Sequence, residues 1–410
     1  MSVPLKDICE LIVDCPHSTA PDEGEGYPLI RTPNIGPGFL DFTDVHRVSK
    51  EVFDKRNVRA APRPMDLILA REAPAGNVGI VPEGYEVCLG QRTVLIRPDQ
   101  SKVNPCFLNY YLNAPRQRHR LLSNANGATV SHVNMPIIRN LPVDLPERRK
   151  QEKIAGVLEA YDKLIENNRK QIALLEEAAQ RLYKEWFVDL HFPNYESSRI
   201  VDGVPEGWKH EKIHDLISFY SNGGWGKESA TGNSSIAAFV IRGTDIPDIY
   251  VGNYSSCPLR FHTEKQFKKR RLRAGDIVIE LSNGNLANVG RSIVINQAML
   301  DNLNDQAICA SFCKLVRPIG AKASLLLSLH IKYLQHSGLL DVFKRRGSNG
   351  INNFDFNQFA ALDIVVPPDE LLNIFSLMYE MISNAAILIN KSSEARNRLL
   401  SKFFSDEIEV

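Results

Sequence analysis

The stretch from Glu147 to Leu190 reads ERRKQEKIAGVLEAYDKLIENNRKQIALLEEAAQRLYKEWFVDL, and it predicts one long helix. It has no proline and one glycine, and it is rich in residue types that favour helices. Its apolar residues recur in alternating steps of three and four, a spacing typical of a coiled-coil seam. At 1.5 Å per residue, about 40 residues form a rod of roughly 60 Å. The predicted seam positions are Ile154, Tyr161, Leu164, Asn168, Leu175 and Leu182.

A second stretch, residues 369–405, shows the same spacing at Leu371, Phe375, Ile382 and Ile389. No proline follows Pro368, so nothing in the sequence breaks a helix there. One interpretation is that each stretch is a single helix packed on a globular core. We favour a second interpretation, in which the two helices pair as a coiled coil, because the seams occupy matching places in a repeated chain.

The composition limits the class of protein. A chain of 410 residues is too long for one core, and its net charge of +1 gives no overall basicity that would indicate nucleic-acid binding. The N-terminal run carries acidic residues and predicts no signal peptide, and no uncharged apolar run is long enough to span a bilayer. Seven scattered cysteines without a Cys-x-x-Cys pair are typical of the reducing cytoplasm.

The chain also contains an internal repeat, because short segments recur in the same order at a distance of about 210 residues or slightly more. Residues 27–35 resemble 238–246, Arg63–Leu69 resembles Arg273–Ile279, and Asn77–Gly79 matches Asn288–Gly290. Further along, Leu95–Pro98 matches Leu315–Pro318, and residues 141–146 answer 362–367. A repeat of this length has the size of a domain.

Each half therefore predicts a globular domain of mixed α/β structure followed by a rod. Short apolar runs after turn residues indicate the strands, and a segment rich in proline, glycine and serine indicates the linker between the halves. The predicted boundaries are 1–146 and 208–368 for the two globular domains, 147–190 for the central helix, 191–207 for the linker and 369–405 for the distal helix.

The motifs of common catalytic classes are missing from the sequence. Gly223–Lys227 lacks the spacing of a phosphate-binding loop, and no Asn/Asp-Pro-Pro-aromatic motif of an amino-methyltransferase occurs. Asp276 and Glu280 lack the nearby lysine of a nuclease, and His210 and His214 have no further ligands around them. The sequence predicts no metal site, no directly bound cofactor and no catalytic residue.

Polar, basic and aromatic residues occupy corresponding loops of the two globular domains. Arginine and lysine read guanine edges, asparagine reads adenine edges, and hydroxyls contact phosphate or bases, so the set is typical of DNA recognition. A solvated turn residue is the alternative for each position, but the repeated placement favours DNA. The candidates are His17, Ser18, Thr19, Arg31, Asn34, Arg71, Asn77 and Arg92 in the first domain, and Trp225, Lys227, Arg242, Thr244, Asn283, Asn285, Arg291, Arg345 and Arg346 in the second.

The sequence resembles the specificity (S) subunit of type I restriction-modification systems over nearly its whole length. The resemblance lies in the turn Gly127-Ala-Thr, in Val133-Asn-Met-Pro136, and in Leu141–Pro146 followed by Gln151-Glu-Lys-Ile-Ala155. The loop Asp14-Cys-Pro-His17 also looks like part of a target-recognition domain of that family. The second copy departs from the pattern, because the residues after Pro368 read Asp-Glu-Leu-Leu-Asn-Ile and contain no glutamine.

This resemblance implies two similar target-recognition domains separated by two long antiparallel helices, with a pseudo-two-fold repeat. It implies a non-catalytic subunit that reads a bipartite double-stranded DNA target, with one half-site per domain and a spacer set by the helices. Two modification (M) subunits would bring S-adenosylmethionine, restriction (R) subunits would join for cleavage, and no membrane would be involved. A coiled-coil scaffold and a DNA-recognition module of another defence system remain the alternatives.

Overall fold

The computed structural model describes residues 2–72, 75–123, 132–347 and 350–405. The chain divides into two compact units, which we call unit 1 (Met1–Lys163 with Ser393–Val410) and unit 2 (Leu164–Ser392). Both long helices pass from one unit into the other, so each unit has its own part of both. The Gly127-Ala-Thr turn that carries part of the family resemblance lies outside the described residues.

Unit 1 builds its core from one four-stranded and one three-stranded sheet together with short helices. Its sheets have the strand orders β2-β8-β5-β6, β4-β3-β7 and β1-β9. The elements are β1 Ser2–Pro4, β2 Cys9–Asp14, β3 Tyr27–Ile30, β4 His46–Val48, α1 Lys50–Arg56, β5 Leu67–Ala70, β6 Val78–Ile80, β7 Cys88–Leu89, β8 Thr93–Pro98, α2 Pro105–Asn113, α3 Pro115–Ser123, α4 Met135–Arg139, β9 Pro142–Asp144 and α5 Arg148–Tyr183.

A π-helical turn at Lys184–Val188 ends α5 within unit 2, and a hairpin of β10 Ile200–Val201 and β11 Val204–Pro205 follows. The remaining elements are β12 Lys209–Lys212, β13 Ile217–Asn222, β14 Ser234–Ile241, α6 Ile246–Tyr250, β15 Leu259–Thr263, α7 Glu264–Arg270, β16 Ile277–Glu280, β17 Ser282–Asn283, β18 Ser292–Val294, α8 Gln297–Asn302, β19 Ala307–Cys309, β20 Cys313–Pro318, α9 Ala321–His336, β21 Lys344–Arg346, β22 Asn352–Phe354, α10 Phe356–Ala360, β23 Asp363–Val366 and α11 Asp369–Phe403.

The strand orders of unit 2 repeat those of unit 1. The sheet β13-β20-β16-β18 corresponds to β2-β8-β5-β6, β15-β14-β19 corresponds to β4-β3-β7, and β12-β23 corresponds to β1-β9. The registers agree as well, because Ile30 pairs with Leu89 in parallel and Ile241 pairs with Cys309 in parallel. The predicted α/β (α+β) class and the internal repeat are therefore confirmed. Unit 2 adds a three-stranded sheet of order β17-β22-β21.

Two turns that each contain a buried aspartate show that the repeat includes side-chain contacts as well as strand order. Asp66 accepts a hydrogen bond from the Arg63 amide at 2.8 Å and pairs with Arg97 at 2.8 Å. Asp276 does the same with the Arg273 amide and with Arg317, both at 2.7 Å. Each carboxylate closes the turn before a core strand and is neutralised by an arginine from the neighbouring strand. The Arg-x-x-Asp pattern found in the sequence therefore marks a buried carboxylate that caps the arginine amide and pairs with a second arginine.

The two long helices pack against each other in both units. In unit 1, Asp162 of α5 pairs with Arg396 of α11 at 2.6 Å, and Ile154 belongs to the same core as Leu400. In unit 2, Ile165 and Ile172 cluster with Ile382, Ala385, Ala386 and Ile389, while Phe187, just after α5, contacts Phe375 with ring centroids 5.3 Å apart. Advancing along α5 moves backward along α11, so the helices are antiparallel within each unit.

One predicted seam position in α5 is corrected by the structure. Leu164 is 42% exposed, whereas Ile165, Asn168 and Ile172 are buried. The side-chain amide of the buried Asn168 donates to the Leu164 carbonyl at 2.8 Å. The seam shifts by one residue here because an α-helix repeats every 3.6 residues, so both Leu164 and Ile165 fit a rule that counts steps of three and four. The other predicted seam residues, Ile154, Tyr161, Leu175, Leu182, Leu371, Phe375, Ile382 and Ile389, are buried or half-buried.

The helix α11 is more apolar than we expected when the sequence showed no uncharged apolar run long enough to span a bilayer. The helix contains an 18-residue window with a mean hydropathy of 1.5, which suffices by length and composition to cross a membrane, although 33% of that window is buried within the protein. Phe375, Ile382 and Ile389 account for part of this burial. Four further apolar residues form an exposed stripe, which we call the α11 stripe; its members are Ile374, Leu377, Met381 and Leu388.

Candidate nucleic-acid interface

In unit 1 the candidate residues gather where β2 and β5 end and β8 begins. Arg71 follows β5 directly, and its amide donates to the carbonyl of Arg92, which precedes β8, at 2.8 Å. The Arg71 guanidinium is buried and holds both carboxylate oxygens of Asp14, the last residue of β2, at 2.7 Å. It also donates to the Val133 carbonyl at 2.9 Å. Arg71 therefore fixes three chain segments at this edge rather than offering its charge to solvent.

The ionic network continues outward from Arg71 to the surface. His132 lies 2.8 Å from an Arg71 nitrogen and 2.5 Å from Glu72, and Glu72 pairs with Arg92 at 2.8 Å. Arg71 at one end of this chain of contacts is buried, and Arg92 at the other end has 58% of its side chain accessible. Arg92 has a positive φ of 64°, which is uncommon for a residue other than glycine. Arg92 is therefore the solvent-exposed arginine of this network, and its ion pair with Glu72 positions it.

The predicted loop of His17, Ser18 and Thr19 is exposed, but side chains from elsewhere in unit 1 donate hydrogen bonds to its backbone. The buried Arg56 donates to the Ser18 carbonyl at 3.0 Å and to the Leu89 carbonyl at 2.6 Å. Gln91 donates to the His17 carbonyl at 2.9 Å. The three side chains are therefore displayed on a loop that other residues position.

Several predicted DNA contacts instead support turns. The Arg31 amide donates to the buried Asn34 side chain at 3.2 Å, and Asn77 donates to the Ile35 carbonyl at 2.9 Å. In unit 2, Arg242 binds the buried Asp245 through two nitrogens, at 2.7 and 2.9 Å, and this hydrogen bonding raises the pKa of Arg242. The conserved feature of this turn in the two units is a short polar side chain that caps the arginine amide.

In unit 2 a polar row crosses the additional sheet. The strand register aligns Ser282 with Asn353 and Asn353 with Arg345, so the three residues lie on one face of β17-β22-β21. The Ser282 hydroxyl donates to the Asn353 amide oxygen at 2.6 Å, and both Asn353 and Arg345 are exposed. Sequence reasoning found Arg345 but missed Ser282 and Asn353, because strands of two and three residues give no readable alternation.

Beside this row lies an open groove of about 620 Å³. Arg346 and Asn285 lie on its wall, together with Gly284, Leu286, Gly347, Gly350 and Asn352. The Asn285 side chain accepts from the Ala287 amide at 3.0 Å, which leaves its NH₂ group available. Asn283 donates to Glu280 at 2.6 Å, so it connects the groove to the end of β16. Two of the predicted residues are therefore brought together here by the fold.

The remaining predicted residues of unit 2 are dispersed. Trp225 is half-exposed beneath the Arg260 guanidinium, which lies 4.9 Å from the ring centroid. Lys227 and Thr244 are exposed, and the Lys227 backbone bonds to Phe261 at 2.9 Å. Arg291 lies 3.9 Å from the buried Glu280 carboxylate. Among the described residues no group of three or more His, Cys, Asp or Glu side chains could hold a metal ion.

The class of protein is indicated by comparison with known proteins. Residues 1–177 match the model of the type I restriction modification DNA specificity domain. Over nearly its whole length the chain has the fold of the type I restriction-modification S subunit from M. genitalium, with a TM-score of 0.53 at 12% identity, covering 98% of this chain and 96% of that one. The resemblance to type I specificity subunits that the sequence shows is therefore confirmed.

Individual relatives give the same result over shorter regions. The specificity subunit of the type I restriction enzyme MjaIX from Methanocaldococcus jannaschii is 27% identical over 178 residues, 42% of this chain and 40% of the relative. The putative MjaX specificity subunit of the same organism is 28% identical over 52% of each chain, and the EcoBI specificity subunit of Escherichia coli is 26% identical over 37% of this chain and 32% of the relative. These matches span about half the length of the relatives, or less.

Proposed function

We propose that this chain is the DNA specificity subunit of a type I restriction-modification system, and that each unit reads one half of a bipartite double-stranded DNA target. The observation that carries the proposal is the duplicated fold, in which the same strand order recurs with different exposed side chains at the same edge. A protein that reads two different half-sites needs this combination of a common scaffold and unlike surfaces. The specificity-domain match over residues 1–177 supports the same function.

The proposal assigns different tasks to the exposed and the buried candidates. Exposed arginine, lysine, asparagine and hydroxyl side chains can reach base edges and phosphates, whereas a guanidinium saturated by protein carboxylates cannot. Direct contact is assigned to His17, Ser18, Thr19, Arg92, Trp225, Lys227, Thr244, Asn285, Arg345 and Arg346. Positioning is assigned to Arg31, Asn34, Arg71, Asn77, Arg242, Asn283 and Arg291, whose side chains are wholly or partly buried.

The proposal also includes protein partners. Two modification subunits would bind this chain and supply S-adenosylmethionine, so that the chain itself holds no cofactor and catalyses no reaction, and restriction subunits would join for cleavage. The α11 stripe supports a protein partner, because its members recur at helical spacing on a face that unit 2 leaves exposed. The seven free cysteines fit the cytoplasm, where this assembly would act.

The paired helices would set the spacing between the half-sites. Their antiparallel packing in each unit is stabilised by apolar seams and by the ion pair of Asp162 with Arg396. Contacts to two DNA segments about one helical turn apart, roughly 34 Å, would then depend on helix length and not on the loops that read bases.

The test of this function is methyl transfer. The purified full-length chain, incubated with labelled S-adenosylmethionine and DNA, is expected to transfer no methyl group, because the common methyltransferase motifs are missing from its sequence. Addition of the modification subunits from the same system is expected to produce methylation at a sequence with two separated halves. The control is the modification subunits without this chain. Methyl transfer by the lone chain, or methylation without sequence preference in the complete mixture, would contradict the proposal.

A further inference from the structure

The start of the strand β20 presents an exposed aromatic ring at a position that the repeat makes equivalent to Arg92. Phe312 directly precedes β20, as Arg92 precedes β8. The Leu281 amide donates to the Phe312 carbonyl at 2.7 Å, just as the Arg71 amide donates to the Arg92 carbonyl at 2.8 Å. The two residues therefore accept equivalent backbone hydrogen bonds in the two units, although Arg92 has a positive φ and Phe312 does not.

Phe312 is 60% exposed, although its backbone is fixed by hydrogen bonds. Its carbonyl accepts a second hydrogen bond from the Ser282 amide at 3.3 Å, so the residue is fixed beside the first member of the row of Ser282, Asn353 and Arg345. Burial of a phenylalanine ring is favourable, and most of that gain is unrealised here. A single exposed apolar side chain needs no explanation by itself. Here, however, the ring stands where unit 1 displays an arginine, next to exposed amide and guanidinium groups.

We propose that Arg92 and Phe312 are specificity-determining residues at one equivalent base position of each half-site, and that Phe312 makes an apolar contact with the 5-methyl group of a thymine. This inference rests on the proposed function. The thymine methyl is the one apolar group that a base pair offers in the major groove, and aromatic side chains contact it. Arg92 presents donors to the same place in unit 1, where guanine acceptors suit it. The difference between the two residues makes the half-sites unlike at this position.

The test uses the full-length chain co-purified with its modification subunits and a duplex carrying its selected target. Each thymine of the half-site read by unit 2 is replaced in turn by uracil, which lacks the 5-methyl group. At one position the wild-type complex is expected to bind about fourfold more weakly, the factor that burial of one methyl group contributes. Phe312→Ala is expected to bind the thymine and uracil duplexes equally, whereas Phe312→Leu keeps part of the discrimination.

Two controls separate this inference from the proposed function and from misfolding. Arg92→Ala should leave the uracil effect unchanged and alter selection only in the other half-site, and Phe312→Ala should leave that other half-site unaltered. If the wild type discriminates no thymine from uracil, or if Phe312→Ala discriminates as the wild type does, the role of Phe312 is refuted while bipartite recognition stands. A wild-type complex that selects no target at all would overturn the proposed function as well.

Discussion

The corresponding sheet edges of the two units carry side chains of different chemical types. In unit 1 it carries Asp14, Arg71, Glu72 and Arg92, and these form a continuous ionic network. The strand registers place Asn222, Leu281, Ser282 and Phe312 at the corresponding positions of unit 2, where the edge is amide, apolar, hydroxyl and aromatic. The buried aspartate turns a few residues away are identical. The repeat is therefore conserved at the turns before the core strands and divergent at the edge that carries Arg92 and Phe312.

The largest expected effect tests the conserved part of this comparison. Asp66→Ala and Asp276→Ala each remove one partner of a buried ion pair and leave Arg97 or Arg317 uncompensated, so each should lower the free energy of unfolding of its own unit by about 3–5 kcal/mol. Hydrogen exchange followed by mass spectrometry on the full chain assigns the loss to a unit. Asp363→Ala, which removes an exposed carboxylate, is the matched control and should change little. Strongly unequal losses would show that the two turns are not equivalent.

These turns also show what the sequence could predict. Repeated short segments such as Arg63–Leu69 and Arg273–Ile279 predict the order of the strands. The spacing of apolar residues predicts both long helices, because the local sequence pattern agrees with the tertiary packing. Local pattern could not separate Leu164 from Ile165, since that choice depends on the facing helix. It also could not show that Arg71 is neutralised by a carboxylate, because Asp14 lies 57 residues from Arg71 in the chain.

Unit 2 has a buried acid, Glu280, at a position where unit 1 has an alanine. Glu280 occupies the position of Ala70, and burial raises its pKa above the ordinary 4.5, opposed in part by its hydrogen bond from Asn283 and by Arg291. Because the pKa of Glu280 is raised in the folded state, protonation of this acid favours folding. The stabilisation is complete below the unfolded-state pKa, and it is lost as pH rises through the folded-state pKa.

Glu280→Gln should therefore remove this loss and stabilise unit 2 at neutral pH, since no charge is then buried. Unfolding measured from below pH 4.5 to neutral pH should show a smaller decline for the variant than for the wild type, with unit 1 unchanged in hydrogen exchange. A variant with the same pH profile as the wild type would show that Glu280 is adequately solvated or paired.

The smallest expected effect concerns the exposed groove of unit 2. Arg346→Ala removes a cation that we assign to phosphate contact, so it should reduce the slope of log affinity against log salt concentration by about 1 without changing the selected bases. Arg199→Ala, an exposed arginine outside the interface, is the matched control and should leave the slope unaltered. A changed base preference in Arg346→Ala would instead assign this residue to direct reading.

The most direct test of two separate half-sites joined by a helical spacer is selection of bound duplexes from a pool with randomised sequence and spacing. The full chain with its modification subunits is compared with a variant that carries four extra residues between Asn168 and Gln171. The insertion adds about 6 Å to α5 and turns its distal part by roughly 40°. We predict that the wild type selects two short motifs at one fixed separation, and that the variant selects the same two motifs at a greater separation. A single continuous motif, or a variant that binds with the original spacing, would contradict the account.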